Sequence, residues 1–233
     1  MKNRLTLLVI GIMFISGGLF AQEGEIKIVI APMYGSSPIV LANDAFKINN
    51  ADQLQIQVLR FYISGIRFLK NGKVVLKEEN SFHLIDAVAS KSLSINIAKP
   101  GNIVFDEIQF NLGIDSTTNE AGVKGGELDP TKGMYWAWQS GYINFKLEGT
   151  SSNCNTRNNE FQFHLGGYLP PNYSMQLVSL KGLNGNAIGI TLDIEKVLSQ
   201  IDLAITNHIM APSAEAVRLS KIIAGSFSMA NEN

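Results

Sequence analysis

One cysteine, Cys154, is all that 233 residues carry. A lone thiol excludes a disulfide scaffold within the chain and any metal centre built from several thiolates. Histidine is scarce as well, at three residues, which narrows the choice of metal ligands. Charge of neither sign is in excess: 19 Lys+Arg stand against 20 Asp+Glu, so the basic surplus that holds nucleic acid is missing. The chain is 45% hydrophobic with a net charge of −1, unlike a sequence that stays disordered. Its length is sufficient to bury a core without covalent staples, and one all-β domain of this size is ordinary.

Long hydrophobic runs are absent after the N-terminus. Met1 to Ala21 reads as a secretory signal peptide. Lys2 and Arg4 form its positive start, Leu5 to Phe14 its apolar centre, and Ser16, Gly17 and Gly18 break that centre ahead of Ala21. The apolar run is short for a span of ~20 residues. No cysteine follows it, so a lipid anchor is unsupported. Cleavage takes away Lys2 and Arg4 and no acidic residue, moving the net charge from −1 to −3. The expected mature chain, 22–233, is a single exported domain, periplasmic or secreted, with no membrane span. Cys154 is then a lone thiol in an oxidising compartment.

The usual catalytic signatures are also missing. There is no Gly-x-Ser-x-Gly elbow, no phosphate-binding glycine loop and no His-Glu-x-x-His zinc motif. Cys154 has no neighbourhood that marks a nucleophile. Paired carboxylates meet only in three dimensions, and no spacing nominates a pair. The expectation is therefore that the protein is not an enzyme.

What is present is period two. Ile26 and Ile28 share a face. Leu54, Ile56 and Val58 begin a long stretch that runs through Phe61 and Ile63 to Phe68. Asn71-Gly72, before Val74-Val75-Leu76, is a hairpin turn, because both residues tolerate positive φ. Phe82-Leu84, Leu93-Ile95-Ile97, Ile108-Phe110, Tyr142 to Leu147, Phe161-Phe163-Leu165, Met175-Leu177 and Ile188 to Leu192 continue the series. Roughly nine or ten short strands predict a mainly β fold, an antiparallel sandwich or barrel. One or two short C-terminal helices complete it: Asp193 to Ile201, and a second capped by Ser213, with Ala216, Leu219, Ile222 and Ile223 at helical spacing and Gly225 at its end. Residues 115–133 read as a long loop, and loops of that length in compact domains are functional or closely packed.

Within that loop Asp115, Asn119, Glu127 and Asp129 offer the hard oxygens that calcium prefers, but their spacing is not that of an EF-hand. Asx turns and loop hydrogen bonds account for such residues equally well. Trp136 and Trp138 lie two apart and share a face if the segment is a strand, either as packing or as an aromatic platform. The histidines carry the sharper hypothesis. His83 in Phe82-His83-Leu84 and His164 in Phe163-His164-Leu165 project away from their apolar neighbours on a strand. Two such strands side by side would bring two imidazoles together. That pair suits Cu(I), whereas zinc asks for more ligands. His208, ahead of Ile209-Met210, is a third candidate.

The stretch Leu128-Asp129-Pro130-Thr131-Lys132-Gly133-Met134-Tyr135-Trp136-Ala137-Trp138-Gln139-Ser140-Gly141-Tyr142, continued by Lys146-Leu147-Glu148-Gly149, resembles the signature of the MbnP family. These are exported copper-binding proteins first associated with methanobactin genes. Phe163-His164-Leu165-Gly166, Leu59-Arg60-Phe61-Tyr62-Ile63-Ser64 and Gly113-Ile114-Asp115-Ser116 are similar to further family segments. The resemblance implies a β-sandwich-like fold and a single copper held by histidines, His164 matching the second ligand and His83 the first. Related copper proteins of methane oxidisers carry a tryptophan, oxidised to kynurenine, two residues before the first histidine. Here that position is Ser81. A two-histidine site completed by water or Met210 is then expected. A di-haem peroxidase-like partner, encoded beside some family members, is implied by the resemblance alone.

Two readings stand at this point. One is an exported carrier that captures one copper ion, as Cu(I), through His83 and His164. The other is a metal-free β-sandwich that recognises a protein or glycan through Trp136, Trp138 and Tyr142. Geometry separates them. Two imidazoles share a metal only if their nitrogens come within roughly 4–5 Å, at ~2 Å from the ion, and an aromatic platform requires exposed rings.

Overall fold

The computed structural model describes residues 24–41, 46–47, 54–183 and 185–230; the expected signal peptide lies outside them. The strands are β1 (Gly24–Tyr34), β2 (Ser37–Pro38), β3 (Phe46–Lys47), β4 (Gln55–Lys70), β5 (Lys73–Lys77), β6 (Phe82–Asp86), β7 (Ser94–Lys99) and β8 (Glu107–Leu112). They continue as β9 (Tyr135–Trp136), β10 (Gly141–Thr150), β11 (Glu160–Gly166), β12 (Gln176–Lys181), β13 (Ala187–Asp193), β14 (His208–Ile209) and β15 (Phe227–Met229). Three helices are interspersed: α1 (Ser116–Glu120), α2 (Ile194–Leu198) and α3 (Ala214–Ala224).

Two sheets face each other. In the smaller, β1 lies between β13 on one edge and β7 and β2 on the other, with β15 beyond β13. The larger runs β12-β8-β4-β10-β11-β14 and is organised by β4, sixteen residues long. One edge of β4 pairs with β10 along 55–61 and then with β8 along 63–69. The other edge takes β3, β6 and β5 in turn. The register shift between Ser64 and Arg67 falls at Gly65, whose φ of +60° only glycine adopts cheaply. That irregularity curls the sheet into a half-barrel.

The expected sandwich is therefore present, as a mixed rather than wholly antiparallel one. The pairs β1–β13 and β11–β14 are parallel. Period two reports faces, and strand direction leaves no trace in it. Both expected helices form where their caps are: Asp193 accepts from Lys196 N and Ser213 from Ala216 N. Helix α1 was expected as loop; its five residues are too few for a 3.6-residue period to show.

The core fills the space between the sheets. Ile26, Ile28 and Ile30 from β1 and Ile188, Ile190 and Leu192 from β13 meet Leu59, Phe61 and Ile63 from β4 and Phe161, Phe163 and Leu165 from β11. Cys154 is buried in this core, and burial pushes its thiol pKa up, away from reactivity. A second, smaller cluster lies on the outer face of the large sheet. Tyr62, Leu84, Ile114, Leu128, Met134, Trp136 and Tyr142 form it, roofed by the segment 113–142.

Candidate functional site

The outer face of the large sheet carries a polar row. His164 on β11 pairs with Lys146 on β10, Lys146 with Arg60 on β4, and Arg60 with Asp86 on β6. Residues level with each other across a sheet share a face, so all four project outward. Arg60 Nε stands 2.8 Å from Asp86 Oδ2, close enough for an ion pair but off the line of a hydrogen bond. His164 Nε2 stands 2.5 Å from Glu148 Oε1, and Lys146 Nζ 3.4 Å from the same oxygen. The hydrogen bond from His164 holds the Glu148 carboxyl below the usual glutamate range, against the opposing effect of burial and with help from Lys146.

The segment 113–142 is laid over this row by specific contacts. Arg60 Nη1 donates to Lys132 O at 3.3 Å, and Lys146 Nζ to Gly133 O at 3.4 Å. The Tyr62 hydroxyl donates to Glu127 O at 3.0 Å and the Tyr142 hydroxyl to Leu128 O at 3.1 Å. Burial is the main reason both phenols are held above their ordinary pKa. Gly166, level with Ile143, is where Trp136 sits down. A Cβ at 166 would stand 2.6 Å from the indole Cζ3 and 2.7 Å from Tyr142 O. Trp136 is buried, and its indole N–H has no hydrogen-bond partner.

The acidic residues of this segment hold the segment itself. Asp115 caps α1, accepting from Thr118 N at 2.8 Å and from Thr118 Oγ1 at 2.9 Å. Asn119 donates to Ile114 O and accepts from Tyr142 N. Asp129 accepts from Thr131 N and Oγ1, and Glu127 from Lys132 Nζ. Their oxygens thus make the Asx and capping bonds that compete with the calcium reading.

The structure does not bring His83 and His164, the two ligands expected from the sequence, to one face. His83 is level with Ile63, three residues from Asp86 along β6, so it belongs to the opposite face of the sheet from His164. The order β6-β4-β10-β11 also puts three strand steps between them, about 14 Å at ~4.8 Å per step. The His83 imidazole is engaged by both oxygens of Glu78, at 2.8 and 3.0 Å. It lines a groove of about 580 Å³ that passes round the edge of β6 not paired with β4 and reaches Arg60, Asp86, Lys91, Glu127 and Lys132 on the outer side.

His208 stands nearer to His164 than His83 does. Strand β14 pairs in parallel with β11, Gln162 level with His208 and Phe163 with Ile209. Ile209 and Phe163 both enter the core, so His208 is on the outer face with Gln162 and His164. The diagonal between His208 and His164 is a nearest-neighbour one, roughly 7–8 Å between backbones. Met210 follows directly. The sequence named His208 and Met210, but nothing in it says that 208–209 adds to the edge of β11, because a two-residue strand has no period. As they stand, no three His, Cys, Asp or Glu side chains converge among the described residues.

The aromatic platform is also corrected. Trp136 and Tyr142 are 5% and 1% exposed, and of the three rings only Trp138, at 68%, faces solvent. Strand β9 ends at Trp136, so the shared-face argument stops one residue in; the two indoles instead touch at 6.0 Å between centroids.

Comparison with known proteins agrees with this architecture. The MbnP family model matches residues 23–211. Among solved structures, the chain is similar to MbnP from Methylosinus trichosporium, with a TM-score of 0.59, 10% sequence identity and 83% of each chain covered. At that identity the likeness is one of fold. No curated protein matches this chain.

Proposed function

The chain belongs to the MbnP family, and on that premise we propose that it is an exported copper-associated protein, a carrier and not an enzyme. Family membership suggests a copper-associated protein of the periplasm or cell exterior, and the N-terminal leader read from the sequence accords with export. The proposed cargo is one copper ion. Its proposed ligands are His164 and His208, with Met210 and Glu148 as the neighbouring donors.

The observation that carries this reading is the β11–β14 register. It sets His208 on the face of His164, on the adjacent strand. Glu148 already contacts His164 Nε2 from the other side. Two imidazoles with a thioether nearby are a donor set that favours Cu(I) over hard cations. Capture displaces the Glu148 contact or keeps it beside the metal, and the exposed His208 side chain is free to turn toward His164. Without a tryptophan at position 81, the reading requires no oxidised ligand and no peroxidase-like partner.

Copper titration of the mature protein tests it, beside His164→Ala, His208→Ala and His83→Ala. One equivalent is expected in the parent, with affinity falling at least tenfold in the first two variants and unchanged in the third. Absence of stoichiometric copper in the parent, or loss in His83→Ala with His208→Ala unaffected, overturns the assignment.

A further inference from the structure

At the far end of the sandwich, we infer that the pocket around Lys99 binds a small organic carboxylate. Ile95 and Ile97 on β7 point into the core, and Lys99 takes the next inward position. It is 7% exposed, its stem packed beside Gly24. A lysine in an inward series is rare unless its charge is met.

Among the described residues no carboxylate meets this charge. The Lys99 ammonium donates to Asn186 Oδ1 at 2.8 Å and lies 5.7 Å from the centre of the Phe105 ring. Both partners are neutral, and among the described residues no carboxylate comes within ion-pair distance. Asp106, the acidic residue beside Phe105, is committed to Lys70 at 3.2 Å and to the Asn71 N–H. Burying an ammonium without a counter-charge is costly, and a bound anion removes that cost.

A cavity is present beside it. About 280 Å³ opens between Lys99, Lys70, Asn102, Phe105, Leu183 and Asn186. Counting Lys70 and Asp106 as a neutral pair leaves one positive charge, which calls for a single negative one. A carboxylate supplies that negative charge to Lys99, the two asparagine amides supply further donors, and Phe105 and Leu183 supply an apolar wall for a short carbon chain. Inorganic phosphate offers nothing to that wall. This pocket is independent of the copper reading.

Calorimetric titration of the mature protein with butyrate, and separately with inorganic phosphate, provides the test. Saturable butyrate binding is expected, at least tenfold weaker in Lys99→Met and retained in Lys99→Arg, with phosphate at least tenfold weaker than butyrate. Amide NMR shifts in the parent on adding butyrate should centre on Phe105, Leu183 and Asn186, a readout that does not depend on a variant folding. No saturable butyrate binding, shifts centred elsewhere, or equal affinity for phosphate overturns the inference.

Discussion

The two faces of β4 are built on different principles. Inward, Leu59, Phe61 and Ile63 are buried by a second sheet, and the burial is apolar and continuous. Outward, Arg60, Tyr62 and Ser64 are covered by a folded segment, and each is fixed by a hydrogen bond or ion pair to it or to a neighbouring strand. The inner face is held by area and tolerates small adjustments. The outer face is held by single directional contacts, each with its own all-or-none geometry. The candidate copper ligands belong to the second kind of surface.

The largest expected effect breaks the inner face. Phe61 is fully buried, 5.5 Å from the Phe145 ring and 5.9 Å from Phe227. Phe61→Ala should cost about 3–5 kcal/mol of unfolding free energy, from lost transfer energy and the cavity left behind. Denaturant titration measures it, and hydrogen exchange should rise across both sheets together. A loss confined to the outer segment would contradict the division drawn here.

A smaller effect is expected from the outer face. Asn144 is buried on β10; its Oδ1 accepts from Ile114 N at 2.9 Å and its Nδ2 donates to Ser174 Oγ at 2.9 Å. Gly113 approaches it so closely that a Cβ there would stand 2.4 Å from Asn144 Cγ. Asn144→Ala leaves the Ile114 N–H without an acceptor, at a cost of roughly 1–3 kcal/mol. Exchange should quicken in 113–142 while β1 and β13 keep their protection. Uniform loosening would show that the segment and the sandwich unfold as one unit.

This division also explains what the sequence made legible. The strands, the inner core and both C-terminal helices follow from period, turn residues and caps. On β11 the apolar residues Phe161, Phe163 and Leu165 face inward, so alternation puts His164 away from the core. On β6 the same rule misleads. Leu84 belongs to the outer cluster, with Phe82 packed against it, so the residue opposite to them, His83, is on the inner side. Alternation says which residues share a face; it does not say which face is the core when both are apolar. The partner His208 was hidden for another reason. Its position depends on a two-residue parallel pairing across 46 positions of chain, a contact that leaves no local pattern.

The smallest effect concerns the candidate site itself and is best seen through pH. Glu148 is partly exposed, and its carboxyl is held below the usual glutamate range chiefly by the hydrogen bond from His164. A carboxyl depressed in the folded state contributes stability that is fully present above its unfolded pKa, about 4.3. That contribution is lost as pH falls through the lower, folded value. Glu148→Gln removes the charge at every pH. Parent and variant should therefore differ at neutral pH, on the order of 1 kcal/mol for a partly exposed pair, begin to converge as pH falls below about 4.3, and meet only below the depressed folded value. His83 and Glu78 make an internal control on the other face, since Glu78→Gln leaves the Glu148 contact in place. A Glu148→Gln stability curve parallel to the parent's down to strong acid would show that the charge on the His164 contact contributes nothing to folding.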